Sequence, residues 1–246
     1  MISLIIPTRK RRPLLEQCLR SFAERATAKS SFDFWIVGDI DDAPGSLFKI
    51  EEFIENLGVT QYNILVREQS DFINEDYYNW AARQCKGEIL FPINDDVQMI
   101  TDGWDDLLLK IHNNEKDKSY YIRFDDNTHW PHNKACCFPP ISRKLFNILD
   151  RIFPKEIAAG GADSQFYEII RNLDRNIIID TPNLKILHHC SHNKTRGKDE
   201  INSLNSARGA KFKGELNFIE LNWYIQKYNE VINTEHQEEW INNYII

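Results

Sequence analysis

Asn94, Asp95 and Asp96 place an amide and two carboxylates side by side at the end of an apolar run, Ile89-Leu90-Phe91-Pro92-Ile93, that is entered through Gly87. A run of this length reads as a strand buried on both faces, so its end presents the three polar side chains at one point. In open α/β sheets ligands collect outside the carboxyl ends of the strands. Adjacent carboxylates repel unless a positive group lies between them, and hard oxygen donors suit Mg²⁺ or Mn²⁺. The tripeptide alone also reads as a polar turn that closes a strand. Asp163 is the second candidate: it follows Gly160 and Gly161 and opens the amphipathic stretch 164–173, a place where Asp also serves as a helix cap. His188 and His189 follow the apolar stretch 184–187. Strand alternation puts them on opposite faces, so one of the two is expected to look into a site.

These residues need a scaffold, and the first hundred residues spell one out. Residues 3–8 form a short apolar strand, followed by a basic loop at 9–12 and a helix over 13–26 with Pro13 in its first turn. A second strand at 34–37 ends in Gly38-Asp39-Ile40-Asp41-Asp42. Ser46 is suited to cap a helix running to Leu57, with Gly58 as its stop. A strand at 62–66 and a helix at 75–85 precede the focal strand. This β-α-β-α-β-α-β order predicts an α/β fold with a mostly parallel central sheet flanked by helices. Farther on, the pattern predicts a helix at 104–112, a strand at 120–124, a polar loop at 125–137, a helix near 144–152, and strands at 177–179 and 184–187.

With 246 residues and 42% hydrophobic composition, the chain can bury a sizeable core. Its net charge of −7, with basic residues scattered apart from Lys10-Arg11-Arg12, argues against a nucleic-acid partner held by phosphate neutralisation. Five cysteines, an odd count with Cys136 and Cys137 adjacent and the others dispersed, suggest a reducing compartment rather than a disulfide framework. No leader-like segment and no apolar stretch approaching membrane-spanning length is visible, so a cytoplasmic location, at most at the inner face of a membrane, is expected.

The order of these signals, SLIIPTRKR, then GDIDD, then YNWAARQCKGEILFPINDDV, resembles the inverting glycosyltransferases of family 2 with the GT-A fold. The resemblance covers roughly residues 2–192. It implies a Rossmann-like catalytic domain over 1–194, with a nucleotide-binding half to about 100 and an acceptor half beyond it. A polar loop and C-terminal helices would follow at 195–246. Pro7, Thr8 and Arg9 would line the nucleotide pocket, and Asp39 would accept a hydrogen bond from the base with Asp41 nearby. Asn94 and Asp96 would take the outer positions of the metal-binding DxD motif, with Asp96 the direct ligand to Mn²⁺ or Mg²⁺. Here Asn94 stands where the family has an acid, so a negative charge is missing and Asp95 shares the work. His189, ahead of His188, would complete the metal site, and Asp163 would be the catalytic base. Lys194 and Arg196 would close over a diphosphate, while Trp130, His132, Phe138 and Arg143 would face the acceptor.

The activity so implied is transfer of a sugar, with inversion, from a nucleotide sugar (UDP-linked by default) to a glycan or lipid-linked acceptor, as in polysaccharide biosynthesis. A metal-dependent nucleotidyltransferase would use similar carboxylates, but the loop after the first strand has no glycine. A zinc module would need Cys or His spacings that are not found here. A non-catalytic nucleotide- or carbohydrate-binding module would have no use for Asp163. Aromatic residues at 218–244 are expected to pack back on the domain; the other readings are a homo-oligomer contact or peripheral membrane attachment, which the acidic stretch near 235–239 disfavours for anionic lipid.

Overall fold

A computed structural model gives the architecture and describes residues 1–115, 118–128, 135–155, 161–190, 203 and 223–232. The N-terminal apolar run forms β1 (Ile2–Thr8) at the centre of the first half. It pairs in parallel with β2 (Phe32–Asp39) on one side and β4 (Ile89–Pro92) on the other, and β3 (Tyr62–Arg67) extends the sheet beyond β2. Parallel neighbours need crossover connections. Those crossovers carry α1 (Arg12–Arg25), α2 (Ile50–Asn56) and α3 (Trp80–Gln84).

The second half adds β5 (Val97–Met99), β6 (Tyr121–Asp125), β7 (Ile141–Ser142) and β8 (Ile178–His188), giving the order β3-β2-β1-β4-β7-β6-β8-β5. The eight-stranded sheet is mixed: β7 runs antiparallel to both β4 and β6, and β5 antiparallel to β8, while β6 and β8 are parallel. The expectation of a mostly parallel sheet therefore describes the first half better than the second. Both faces of β1 are buried, and alternate residues feed two cores. Ile2, Leu4 and Ile6 join Phe22, Phe34, Phe91 and Trp104; Ile5 joins Trp35, Leu90, Ala81 and Phe166. Each large side chain so buried contributes about 1.5–3 kcal/mol relative to exposure.

Several local choices depart from the sequence pattern. Ser46 caps no helix: its hydroxyl donates to Asp42 within a π-helical turn (Ala43–Leu47), and α2 starts only after Lys49, whose φ is 52°. The helix before β4 opens with a second π-helical turn, Asn74–Asn79. The two expected strands at 177–187 are one strand, β8, with a register shift opposite Phe124 and Asp125. Gly87 is demanded by close approach, because a Cβ there would lie 2.5 Å from Ser3 Oγ and 2.7 Å from the Ser3 nitrogen.

Two polar side chains lock the elements that flank β4. Arg143, which opens α5 (Arg143–Leu149) and was expected to face the acceptor, instead donates to the carbonyls of Ala82 (2.8 Å), Cys85 (2.8 Å) and Gly87 (3.0 Å). The end of α3 leaves carbonyls that need donors, and Arg143 supplies them. Asn79, fully buried, accepts from the N–H groups of Ile152 and Phe153 and donates to the Phe153 carbonyl and Glu75. At the far end of the chain, the helix 223–232 turns Tyr224 and Tyr228 into the second core, and Arg151 donates to the Tyr224 hydroxyl at 2.9 Å. Residues 195–202, Trp130, His132, Lys194 and Arg196 lie outside the described residues. Among the described residues no helix is long and apolar enough to cross a membrane.

The loop between α1 and β2 is held by one carboxylate. Asp105, in the first turn of α4 (Trp104–Glu115), is fully buried and accepts from the N–H groups of Thr27 (2.7 Å) and Ala28 (3.0 Å) and from the Ser31 hydroxyl (2.7 Å). Burial alone would raise its pKa, but these hydrogen bonds hold the carboxyl below its ordinary value. A depressed folded-state pKa gives stability that is present above the unfolded value and lost as pH falls through the folded one. Asp105→Ala should therefore lower stability by about 1–3 kcal/mol near neutral pH. In urea unfolding the gap from the wild type should hold from about pH 7 to about pH 5 and narrow as the pH falls below about 4. A gap that does not change with pH would show that Asp105 acts through packing alone.

Candidate active site

The carboxyl ends of β1, β2 and β4 lie side by side, and the loop after β1 delivers two arginines to them. Lys10 adopts φ 53°, a left-handed turn that sends the flanking side chains to different partners. Arg9 donates to Asp39 at 2.9 Å and, through both nitrogens, to Asp41 at 2.5 and 2.7 Å. The Asp41 hydrogen bonds chiefly raise the Arg9 pKa, so its charge is permanent. Arg11 reaches Asp95 at 3.2 Å and Asp96 at 3.4 Å. Thr8 donates its hydroxyl to the other oxygen of Asp95 at 2.9 Å. Burial, then the neighbouring Asp96, pushes the Asp95 carboxyl above the ordinary range, and Arg11 and Thr8 oppose that shift.

Tyr77 and Tyr78, both in the π-helical turn 74–79, serve different strand ends. The Tyr77 hydroxyl donates to Asp39, and the Tyr78 hydroxyl donates to the side-chain oxygen of Asn94 and to the Ile93 carbonyl at 3.3 Å. Such turns rotate successive side chains by less than an α-helix does, and they recur at functional sites. Sequence reading gave neither Tyr77 nor Arg11 a role; the only available signals were a doubled tyrosine and a run of basic residues next to the strand-end acids.

The two histidines separate as alternation requires, and the His188 side chain is the one that lies beside the Asp96 carboxylate. His188 brings Nε2 to 3.5 Å from Asp96 Oδ1, whereas His189 reaches Asp96 through its backbone N–H, which donates to the Asp96 carbonyl at 2.8 Å. Register explains this: β8 runs antiparallel to β5 with His188 opposite Val97, the residue after Asp96. Phe138 holds the His188 ring edge-on at 4.9 Å, and Thr128 Oγ1 lies 3.5 Å from its Nδ1. Phe138 is thus packed against a site residue, 4% exposed.

Asp163 is not a cap. The N-cap of α6 (Ala162–Leu173) is Gly161, in the left-handed region at φ 84°, and Asp163 sits partly buried in the first turn. Burial, then the charges of Asp163 and Asp126, raises the Cys137 thiol well above its ordinary range. Burial, then Asp96 and Asp95, does the same to the Tyr78 hydroxyl.

Among the described residues no three His, Cys, Asp or Glu side chains converge as a ready metal cluster. The donor set nevertheless fits a cation of the Mg²⁺ or Mn²⁺ kind, which is commonly bound by one or two protein donors plus substrate phosphates and water. Asp96 and His188 supply an oxygen and a nitrogen 3.5 Å apart. Asp95 has its oxygens engaged by Thr8 and Arg11.

Comparison with known proteins gives this arrangement a context. The family model described as glycosyl transferase family 2 matches residues 3–177. No curated protein matches the chain by sequence. Among solved structures, S. aureus TarS is similar with a TM-score of 0.61 at 15% identity, over 92% of this chain and 42% of the TarS chain. A shorter TarS, residues 1–349 in complex with UDP-GlcNAc, gives 0.60 at 13% identity over 92% and 71%. The mannosyltransferase PcManGT from Pyrobaculum calidifontis, in complex with GDP-Man and Mn²⁺, gives 0.60 at 13% identity over 96% and 75%. At these identities the likeness shows the fold. The chain spans less than half the length of full TarS.

The geometry distinguishes the two histidines experimentally. With UDP present, His188→Ala should weaken Mn²⁺ binding, read by titration calorimetry, by at least about tenfold, the scale of loss seen even for outer-shell partners of metal sites. His189→Ala should leave it within a few-fold, because the hydrogen bond it makes to Asp96 comes from the backbone. The opposite ranking would make His189 the ligand.

Proposed function

The chain belongs to glycosyl transferase family 2, and on that premise we propose that it transfers a sugar from a nucleotide-sugar donor to a hydroxyl of a glycan or lipid-linked acceptor, with inversion at the anomeric carbon. The observation that carries this reading is the meeting of Thr8, Arg9, Arg11, Asp39, Asp95, Asp96 and His188 at adjoining strand ends, with Asp163 opening a helix in the acceptor half. We assign the donor to UDP-sugars, the default that the family resemblance implies.

Asp39, fixed by Tyr77 and Arg9, receives the base, and the Asn94 amide, steadied by Tyr78, meets the ribose. Pro7, Thr8 and Arg9 line that pocket, with Asp41 orienting Arg9. Asp96 and His188 hold the divalent ion. A bound Mg²⁺ or Mn²⁺ supplies Lewis-acid stabilisation of charge developing on the leaving diphosphate. Asp163, in the first turn of α6, accepts the proton of the acceptor hydroxyl as that oxygen attacks the anomeric carbon.

Asp163→Asn retains size and polarity but removes the proton acceptor. Because general-base catalysis is typically worth about 10²–10⁴-fold, turnover should fall by that much. It would be measured as UDP release from UDP-sugars in the presence of a glycan acceptor mixture. Donor affinity should stay within a few-fold, since Asp163 is not among the groups assigned to the donor or its ion. Turnover that survives within a few-fold would remove Asp163 as the base, and a product retaining the donor's anomeric configuration would rule out the inverting step.

A further inference from the structure

Three arginines follow β1 within four residues, and each has a different occupation. Arg9 is held by Asp39 and Asp41. Arg12 bonds Glu16 and the carbonyls of Ser46 and Phe48. Arg11 alone of the three lies on the metal side, with one nitrogen 3.2 Å from Asp95 and 3.4 Å from Asp96. All three members of that cluster are nearly excluded from water, Arg11 at 8% and each Asp at 3% exposure. With so little solvent screening, a guanidinium there offsets much of the negative charge that would draw in a cation.

We propose, resting on the transferase reading above, that Arg11 is a positioning residue that closes the Asp95–Asp96 site to a lone divalent ion and opens it when a nucleoside diphosphate arrives. An ion approaching Asp96 alone meets a fixed positive charge and competes with it for the same carboxylate. A diphosphate offers the guanidinium a better-matched, bidentate anion. The backbone need not move, because the Arg11 carbonyl accepts the Leu15 N–H at 3.0 Å and so stays anchored to α1; only the side chain exchanges partners. Ion and nucleotide then bind cooperatively, and each strengthens the other by the same factor. The sequence also gives this device a use. Asn94 removes one negative charge from the motif, so the site relies on the diphosphate's charge to retain its ion.

Mn²⁺ titration calorimetry on the full chain, alone and with UDP, tests this in wild type, Arg11→Met, Arg11→Lys and Asp96→Asn. In the wild type UDP should tighten Mn²⁺ binding by roughly 5–150-fold, the usual range of such coupling. Arg11→Met should bind Mn²⁺ alone about tenfold more tightly than the wild type and lose most of the coupling. Arg11→Lys keeps the charge but not the fork, so it should show a smaller gain of a few-fold. That gain decides the matter if Arg11→Met does not fold. Mn²⁺ affinity unchanged or weakened in the Arg11 variants, with Asp96→Asn abolishing binding, would overturn this inference and leave the metal site standing. If Asp96→Asn bound Mn²⁺ like the wild type, the site reading itself would fall, and the role of Arg11 with it.

Discussion

Asp39, Asp95 and Asp96 emerge from neighbouring strand ends, and none is more than 3% exposed. Carboxylates buried this close repel one another and lose hydration, so an ordinary core would exclude them. Here the compensation is built from local chain geometry. A left-handed Lys10 separates Arg9 from Arg11, and each arginine faces a different acidic pair. The neutral donors Thr8 and Tyr77 complete the set. Other features follow from bringing these ends into line. Gly87 allows β4 to start against Ser3, Arg143 gathers the carbonyls that precede it, and the π-helical turn at 74–79 places consecutive tyrosines over two strands.

The second half of the sheet contributes by register. Antiparallel pairing of β5 with β8 fixes which histidine stands beside Asp96, and Phe138 holds that ring in place. Asn79 ties the helix before β4 to residues 152–153, and so connects the first half of the chain to the segment leading toward α6. Tyr224 and Tyr228 from the helix 223–232 fill the same core as Phe166 of α6. The acidic pair and Asp163 are thus set by two different cores that share the sheet between them.

Much of this was legible in the residues themselves. The apolar runs of β1 and β4, the polar residues at their ends and the helical spacing of α1 and α6 are local patterns, and local patterns survive without knowledge of the fold. What the sequence left open depends on long-range pairing. His188 and His189 are distinguished only by which residue of β8 lies across from Val97. Arg143 was expected to face the acceptor because its three carbonyl partners, some sixty positions away, leave no local signal. Ser46 was a reasonable cap by type, but the Asp42 side chain lies nearer than a helix in need of capping. The Arg11 pairing spans more than eighty positions, and nothing in Lys10-Arg11-Arg12 indicates which basic residue makes it.

The proposed function requires the strand-end acids and His188 to form one nucleotide-sugar and metal site. A crystal structure of the full chain grown with Mn²⁺ and a UDP-sugar would locate the ion by its anomalous scattering. One strong anomalous peak is expected within coordination distance of both the Asp96 carboxylate and the His188 imidazole, with diphosphate oxygens as further ligands. A peak bound elsewhere, or a nucleotide ordered away from the ends of β1, β2 and β4, would contradict it.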